Sequence, residues 1–181
     1  MLKSFFKPAS VAVIGASTNP VKLGHAVLRN LVEGGYSKQG AVYPINPKAD
    51  QILGLKAYPS VLNVADQIDL AVIVIPYPLV PDALRICGQK GIPAAIVISA
   101  GFREAGMEGL ERERELIEIA QEYHIRIIGP NCLGIIDTFT PLNASFAAGT
   151  PPSGPMAFMS QSGALGTAVL DIALAGRLGR G

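Results

Sequence analysis

The chain has 181 residues, 49% hydrophobic and 16% charged, with a formal net charge of +1. That balance excludes a disordered chain and gives no general electrostatic case for nucleic acid or a membrane surface, so neither is expected as a partner. No apolar run approaches the roughly 18 residues of a membrane span, the segment from Met1 to Pro8 is too poor in apolar residues for a signal peptide, and the two cysteines, Cys87 and Cys132, match no metal spacing; a cytoplasmic, reduced protein is the simplest expectation.

Val11 to Ile14 is a short, continuously apolar run, the pattern of a strand buried on both sides. Gly15 ends it at a sharp turn, and Ala16, Ser17, Thr18 and Asn19 follow. The last three are helix N-cap formers, and Pro20 suits a first helical turn. Helical spacing of apolar residues then runs to Leu31 and Val32, closed by Gly34 and Gly35. Strand, tight turn and helix together predict an anion site on the unpaired N–H groups of the helix start. A dinucleotide fingerprint would need glycine at 15, 17 and 20, and the sequence has Gly15, Ser17 and Pro20. The second strand, Ala41 to Ile45, ends in Asn46, Pro47 and Lys48, where an NAD site would want an acid. The turn therefore reads as a phosphate cradle and not as a standard NAD site.

Residues 46–66 are loop-rich, with little sustained periodicity. Leu70 to Ile75 is the clearest buried strand, stopped by Pro76, Tyr77 and Pro78, and Pro81 to Lys90 has helical spacing. Ala94 to Ile98 is a fourth strand, ending in Ser99, Ala100, Gly101 and Phe102. Glu108 to His124 is a long helix with Leu110, Leu116, Ile117, Ala120 and Tyr123 as its inward stripe, and Glu111 to Glu115 is a solvated charge run with i,i+3 and i,i+4 pairs. Arg126 to Ile128 is a short fifth strand before Gly129, Pro130, Asn131 and Cys132. Alternating strands and helices, each strand continuously apolar, predict an α/β protein with a doubly wound parallel sheet of Rossmann-like type. Such sheets bind ligands beyond the carboxyl ends of their strands. All five strand-end turns here are small, polar or proline-rich.

Residues 138–150 are polar and weakly patterned, and Thr150 to Pro155 has linker composition. The opening pattern then recurs. Met156 to Met159 reads as a strand, Ser160, Gln161, Ser162 and Gly163 as a turn, and Ala164 to Ala175 as a helix. One strand and one helix cannot bury a core, so residues 156–181 are expected to be the first β-α unit of a second domain, after a first domain at 1–148 and a linker at 149–155.

With these turns in order the chain resembles the N-terminal part of the NDP-forming acyl-CoA synthetases, relatives of the α subunit of succinyl-CoA synthetase. The resembling segments are 11–17, 43–47, 74–78, 98–102, 128–134 and 159–163. The resemblance implies a CoA-binding Rossmann-like domain followed by a flavodoxin-like, succinyl-CoA-ligase-like domain. It implies CoA contacts at the first helix start and the strand-end turns, and a phosphate site at Ser160 to Gly163. It further implies an ADP-forming ligase reaction in the intact protein, in which acid, CoA and ATP give acyl-CoA, ADP and phosphate. ATP and magnesium would enter through an ATP-grasp subunit or domain outside this sequence, and the intact protein would be an oligomer. The family's phosphohistidine belongs to a later segment; His25 and His124 match no such segment and read as structural. Cys132 reads first as a small buried hydrophobe, and no residue is assigned to catalysis. A free-standing CoA- or nucleotide-binding module remains an alternative, and an NAD-dependent oxidoreductase is disfavoured by Ser17, Pro20 and Asn46.

Overall fold

The structure is a computed structural model that describes residues 2–176; Met1 and residues 177–181, the end of the expected second unit, lie outside the described residues. A short helix, α1 (Lys3–Phe6), precedes β1 (Ser10–Ile14), α2 (Leu23–Glu33) and β2 (Ala41–Ile45). A small antiparallel pair follows, β3 (Gln51–Ile52) and β4 (Leu55–Lys56). Then come β5 (Leu70–Ile73), α3 (Val80–Lys90), β6 (Ala94–Val97), α4 (Met107–Glu122) and β7 (Arg126–Ile128). A hairpin of β8 (Gly134–Asp137) and β9 (Leu142–Ser145) and a last helix, α5 (Gly163–Leu174), complete the described chain.

Five parallel strands form one sheet in the order β2-β1-β5-β6-β7. The order reverses at β1, so the switch between outward and inward winding lies between β1 and β5. Alternate residues feed two cores. Val11, Val13, Leu70, Val72 and Ile96 pack with Val27, Leu28 and Leu31 of α2 and with Leu142 and Ala144 of β9. Ala12, Ile14, Ala71, Ile73 and Val97 pack with Val80, Leu84 and Cys87 of α3 and Leu116 and Ile119 of α4 on the other side. Both sides being covered explains the uninterrupted apolar runs.

Several expectations need correction. Within residues 138–150, expected to be weakly patterned, Leu142–Ser145 forms β9, which pairs with β8 (Gly134–Asp137) as a hairpin. It is fastened by Asn30, whose Nδ2 donates to the Ser145 and Ala147 carbonyls at 2.9 and 2.8 Å. In α4 Leu116 faces inward as expected, but the inward isoleucine is Ile119, whereas Ile117 is 48% exposed. Its charge run is not wholly solvated either: Arg85 of α3 bonds Glu115 at 2.8 Å, and Arg112 reaches the turn after β6. The paired part of β5 stops at Ile73: Val74 N still donates to Ile14 O at 2.8 Å, and just beyond it β1 turns away at Gly15. Met156 to Met159 forms no strand; among the described residues it has no partner strand, and Met159 is 97% exposed. Helix α5 forms much where its spacing predicts, but buries none of its residues.

Candidate functional site

The turn after β1 is built by two glycines in close approach. Gly15 has φ +93°, a left-handed conformation that disfavours side chains, and its N–H donates to Ile45 O at 3.1 Å. Gly24, in the first turn of α2, sits so close that any Cβ would overlap the Gly15 carbonyl. The helix can therefore approach the strand end only with glycine at that position.

Helix α2 starts later than the sequence suggests. Its N-cap is Lys22, with no side-chain cap hydrogen bond, and Pro20 lies outside the helix. Ser17, Thr18 and Asn19 are therefore not its caps. Ser17 Oγ accepts from Asn19 N at 3.1 Å and Asn19 Oδ1 accepts from Val21 N at 3.0 Å, so both side chains shape the loop instead. His25, only 8% exposed, braces the same loop through Nδ1, 2.8 Å from the Ser17 carbonyl.

The turns at the sheet's carboxyl end surround one cavity of about 840 Å³, which also takes in the start of α2. Neighbouring turns are stitched together. Asn46 Nδ2 donates to Ala16 O at 2.7 Å while its Oδ1 accepts from Lys48 N at 2.8 Å. Ser99 Oγ donates to Ile75 O at 2.6 Å, and Asn131 N donates to Ser99 O at 3.0 Å. Much of the polar side-chain capacity at the strand ends thus holds the rim in shape.

Of the residues singled out from the sequence, Gly15, Ala16 and Ser17 line this cavity, as do Asn46, Pro47 and Lys48. Pro76, Tyr77, Ser99, Ala100, Asn131, Cys132 and Gly163 line it as well. Thr18, Asn19, Pro78, Gly101, Ser160, Gln161 and Ser162 do not, and Phe102 is fully buried in the core beneath α4. Ser162 caps α5, its Oγ accepting from Leu165 N at 3.3 Å, and Gly163 and Thr167 of that helix border the cavity. Sequence reasoning missed Lys22, Gly24, Leu133 and Phe146 as lining residues. Gly24 was detectable, because a glycine between the apolar positions of a helix needs a reason. Phe146 was not, since its hairpin carried no clear periodicity.

Two lysines, Lys22 and Lys48, border the cavity; both are exposed, and among the described residues neither makes an ion pair. With the start of α2 they make one wall of the site electropositive. Cys132 is half-buried, and its Sγ donates to Val97 O at 3.4 Å. Burial pushes its thiol up to about 11, which leaves little thiolate at neutral pH and argues against a nucleophile. Among the described residues, no three His, Cys, Asp or Glu side chains are grouped to hold a metal ion, and no helix is long and apolar enough to cross a membrane.

A family model described as CoA binding domain matches residues 9–138. The chain is 52% identical over 172 residues to an ADP-forming acetate–CoA ligase of Methanocaldococcus jannaschii, covering 95% of this chain and 24% of the ligase. It is 48% identical over 170 residues to the α subunit of ADP-forming acetate–CoA ligase II of Pyrococcus furiosus, covering 94% of this chain and 36% of that subunit. Among solved structures, the acetyl-coenzyme A synthetase 1 of Ca. Korarchaeum cryptofilum in complex with phosphate and ADP superposes with a TM-score of 0.94 at 43% identity, over 99% of this chain and 38% of that one. The chain thus spans between a quarter and two fifths of the length of these relatives.

Proposed function

The chain belongs to the CoA binding domain family, and on that premise we propose that it holds CoA in the cavity at the carboxyl end of its sheet. The observation that carries this reading is the convergence of the strand-end turns on the Gly15–Gly24 approach, beside Lys22 and Lys48. Backbone donors at the start of α2 suit the diphosphate, because unpaired N–H groups and the helix dipole both favour an anion. Lys48 suits the 3′-phosphate, and the apolar lining of Leu133, Phe146 and Ile75 suits the pantetheine arm. Residues 15–19, 46–48, 76–78, 99–102, 131 and 132 supply the contacts or the frame behind them. NAD fits less well: no acid follows β2, and the Asn46 side chain is already spent on Ala16 O and Lys48 N.

In this reading residues 1–148 form the CoA-binding unit, 149–155 a linker, and 156–181 the opening of a succinyl-CoA-ligase-like domain whose turn, Ser160 to Gly163, receives phosphate. The protein of which this is the CoA-binding portion makes acyl-CoA from an acid, CoA and ATP with release of ADP and phosphate. It works with an ATP-grasp subunit or domain that brings ATP and magnesium, as a cytoplasmic oligomer. The chain by itself binds CoA without turning it over.

Calorimetric titration with CoA, 3′-dephospho-CoA and NAD tests the proposal. CoA binds tightest, and Lys48→Ala weakens CoA more than the dephospho compound, by a margin that shrinks as salt rises. Preferential binding of NAD overturns the reading. Equal loss for both CoA compounds removes Lys48 from the 3′-phosphate.

A further inference from the structure

We propose that Arg112, which does not line the cavity, is a positioning residue that fixes the cavity rim by clamping Tyr77 against Gly101; the inference rests on the CoA reading above. Tyr77 borders the cavity from the turn after β5 and is 38% exposed. Gly101 belongs to the turn after β6, with φ +105°, and a Cβ there would lie 2.5 Å from Tyr77 Cδ1. The ring is thus seated directly on the glycine backbone. The Arg112 guanidinium lies over the ring, 4.2 Å from its centroid. Its Nη1 donates to Gly101 O at 3.0 Å and its Nη2 to Glu108 Oε2 at 3.0 Å.

One side chain from α4 therefore ties two strand-end turns together. The Gly101 turn is also fastened from its other side, where Glu104 Oε1 accepts from Gly101 N at 2.5 Å and Phe102 N at 3.2 Å. A guanidinium is suited to this task, because its plane can stack on an aromatic ring while its in-plane N–H groups bond a carbonyl. An ammonium group supplies charge without that geometry. With the ring held, Tyr77 is in place before a ligand arrives, and the ordering cost of binding falls.

The experiment is a double-mutant cycle on CoA affinity, with the ligand-free protein as a control. In the wild-type background Arg112→Gln weakens CoA about tenfold and Arg112→Lys recovers less than half of that loss on a logarithmic scale, while in a Tyr77→Leu background Arg112→Gln adds less than about twofold. Equal losses in both backgrounds overturn the proposal, because Arg112 then acts without Tyr77. Full recovery with lysine overturns it too, because charge alone then suffices. In ligand-free protein, NMR shows the Arg112 δ-protons moved upfield by the Tyr77 ring, a shift lost in Tyr77→Leu. Absence of that shift in the wild type also overturns the clamp. A wild-type chain that shows the shift but ignores CoA overturns the CoA reading, and with it the claim that the clamp serves that ligand.

Discussion

Gly24 has no side chain because the Gly15 carbonyl occupies the place where one would go. Gly24→Ala gains about 1 kcal/mol of helix propensity but forces strand and helix apart at a cost of about 1–3 kcal/mol or more. Net destabilisation is expected, read as a lower Tm, together with weaker CoA binding. Gly163→Ala is the control: nothing lies within 4 Å of its added Cβ, and its Tm holds or rises. The fingerprint spacing sought this glycine at position 20 and found Pro20. The loop between β1 and α2 is longer than the fingerprint allows, so the contact survives at a different spacing. At Cys132 and Cys87, burial raises the thiols to about 11 and about 12. Both should therefore label slowly with a thiolate-selective disulfide reagent at pH 8 and rapidly after unfolding; fast labelling of the native chain contradicts their placement.

At the scale of elements, the β8–β9 hairpin depends on Asn30 of α2. Asn30→Ala leaves the Ser145 and Ala147 carbonyls without that donor and should cost about 1–3 kcal/mol, with hydrogen-exchange protection lost first in β9. The hairpin escaped the sequence because β9 is too short for its pattern to register and two of its residues, Asn143 and Ser145, are polar yet buried beside Leu142 and Ala144. Hydrogen bonds to Gly149 O and Thr150 Oγ1 satisfy Asn143, and Ser145 Oγ donates to Asn143 Oδ1. The sheet strands were legible because cores on both sides leave them almost wholly apolar, with Ser10 and Arg126 at strand starts as the exceptions. Helix α4 was legible in extent and in part of its inward stripe, since Leu116 and Tyr123 face the core, but its charges mask which isoleucine turns inward. Glu104 adds a pH dependence to the turn after β6. Burial alone would raise its carboxyl, but the N–H groups of Gly101 and Phe102 outweigh that and hold it below its ordinary value. Its contribution is present above the ordinary carboxylate pKa and lost as pH falls through the lowered one. The stability difference between wild type and Glu104→Gln should therefore shrink on acidification; a constant difference from neutral to acid pH contradicts this.

For the whole molecule, the sheet order puts its switch point between β1 and β5, and the cavity opens beyond those strand ends. Helix α5 borders that cavity through Gly163 and Thr167 but buries no residue. Removing residues 156–181 should thus leave the Tm of the remainder within a few degrees, and a large drop would contradict an autonomous first domain. The most direct measurement is a crystal structure of the chain with CoA bound. Diphosphate oxygens should lie within about 3.2 Å of N–H groups in the Gly15–Ser17 turn or at the start of α2, with Lys48 at the 3′-phosphate. CoA held elsewhere, for instance in the groove between α4 and β7 lined by Ile117 and His124, would contradict it.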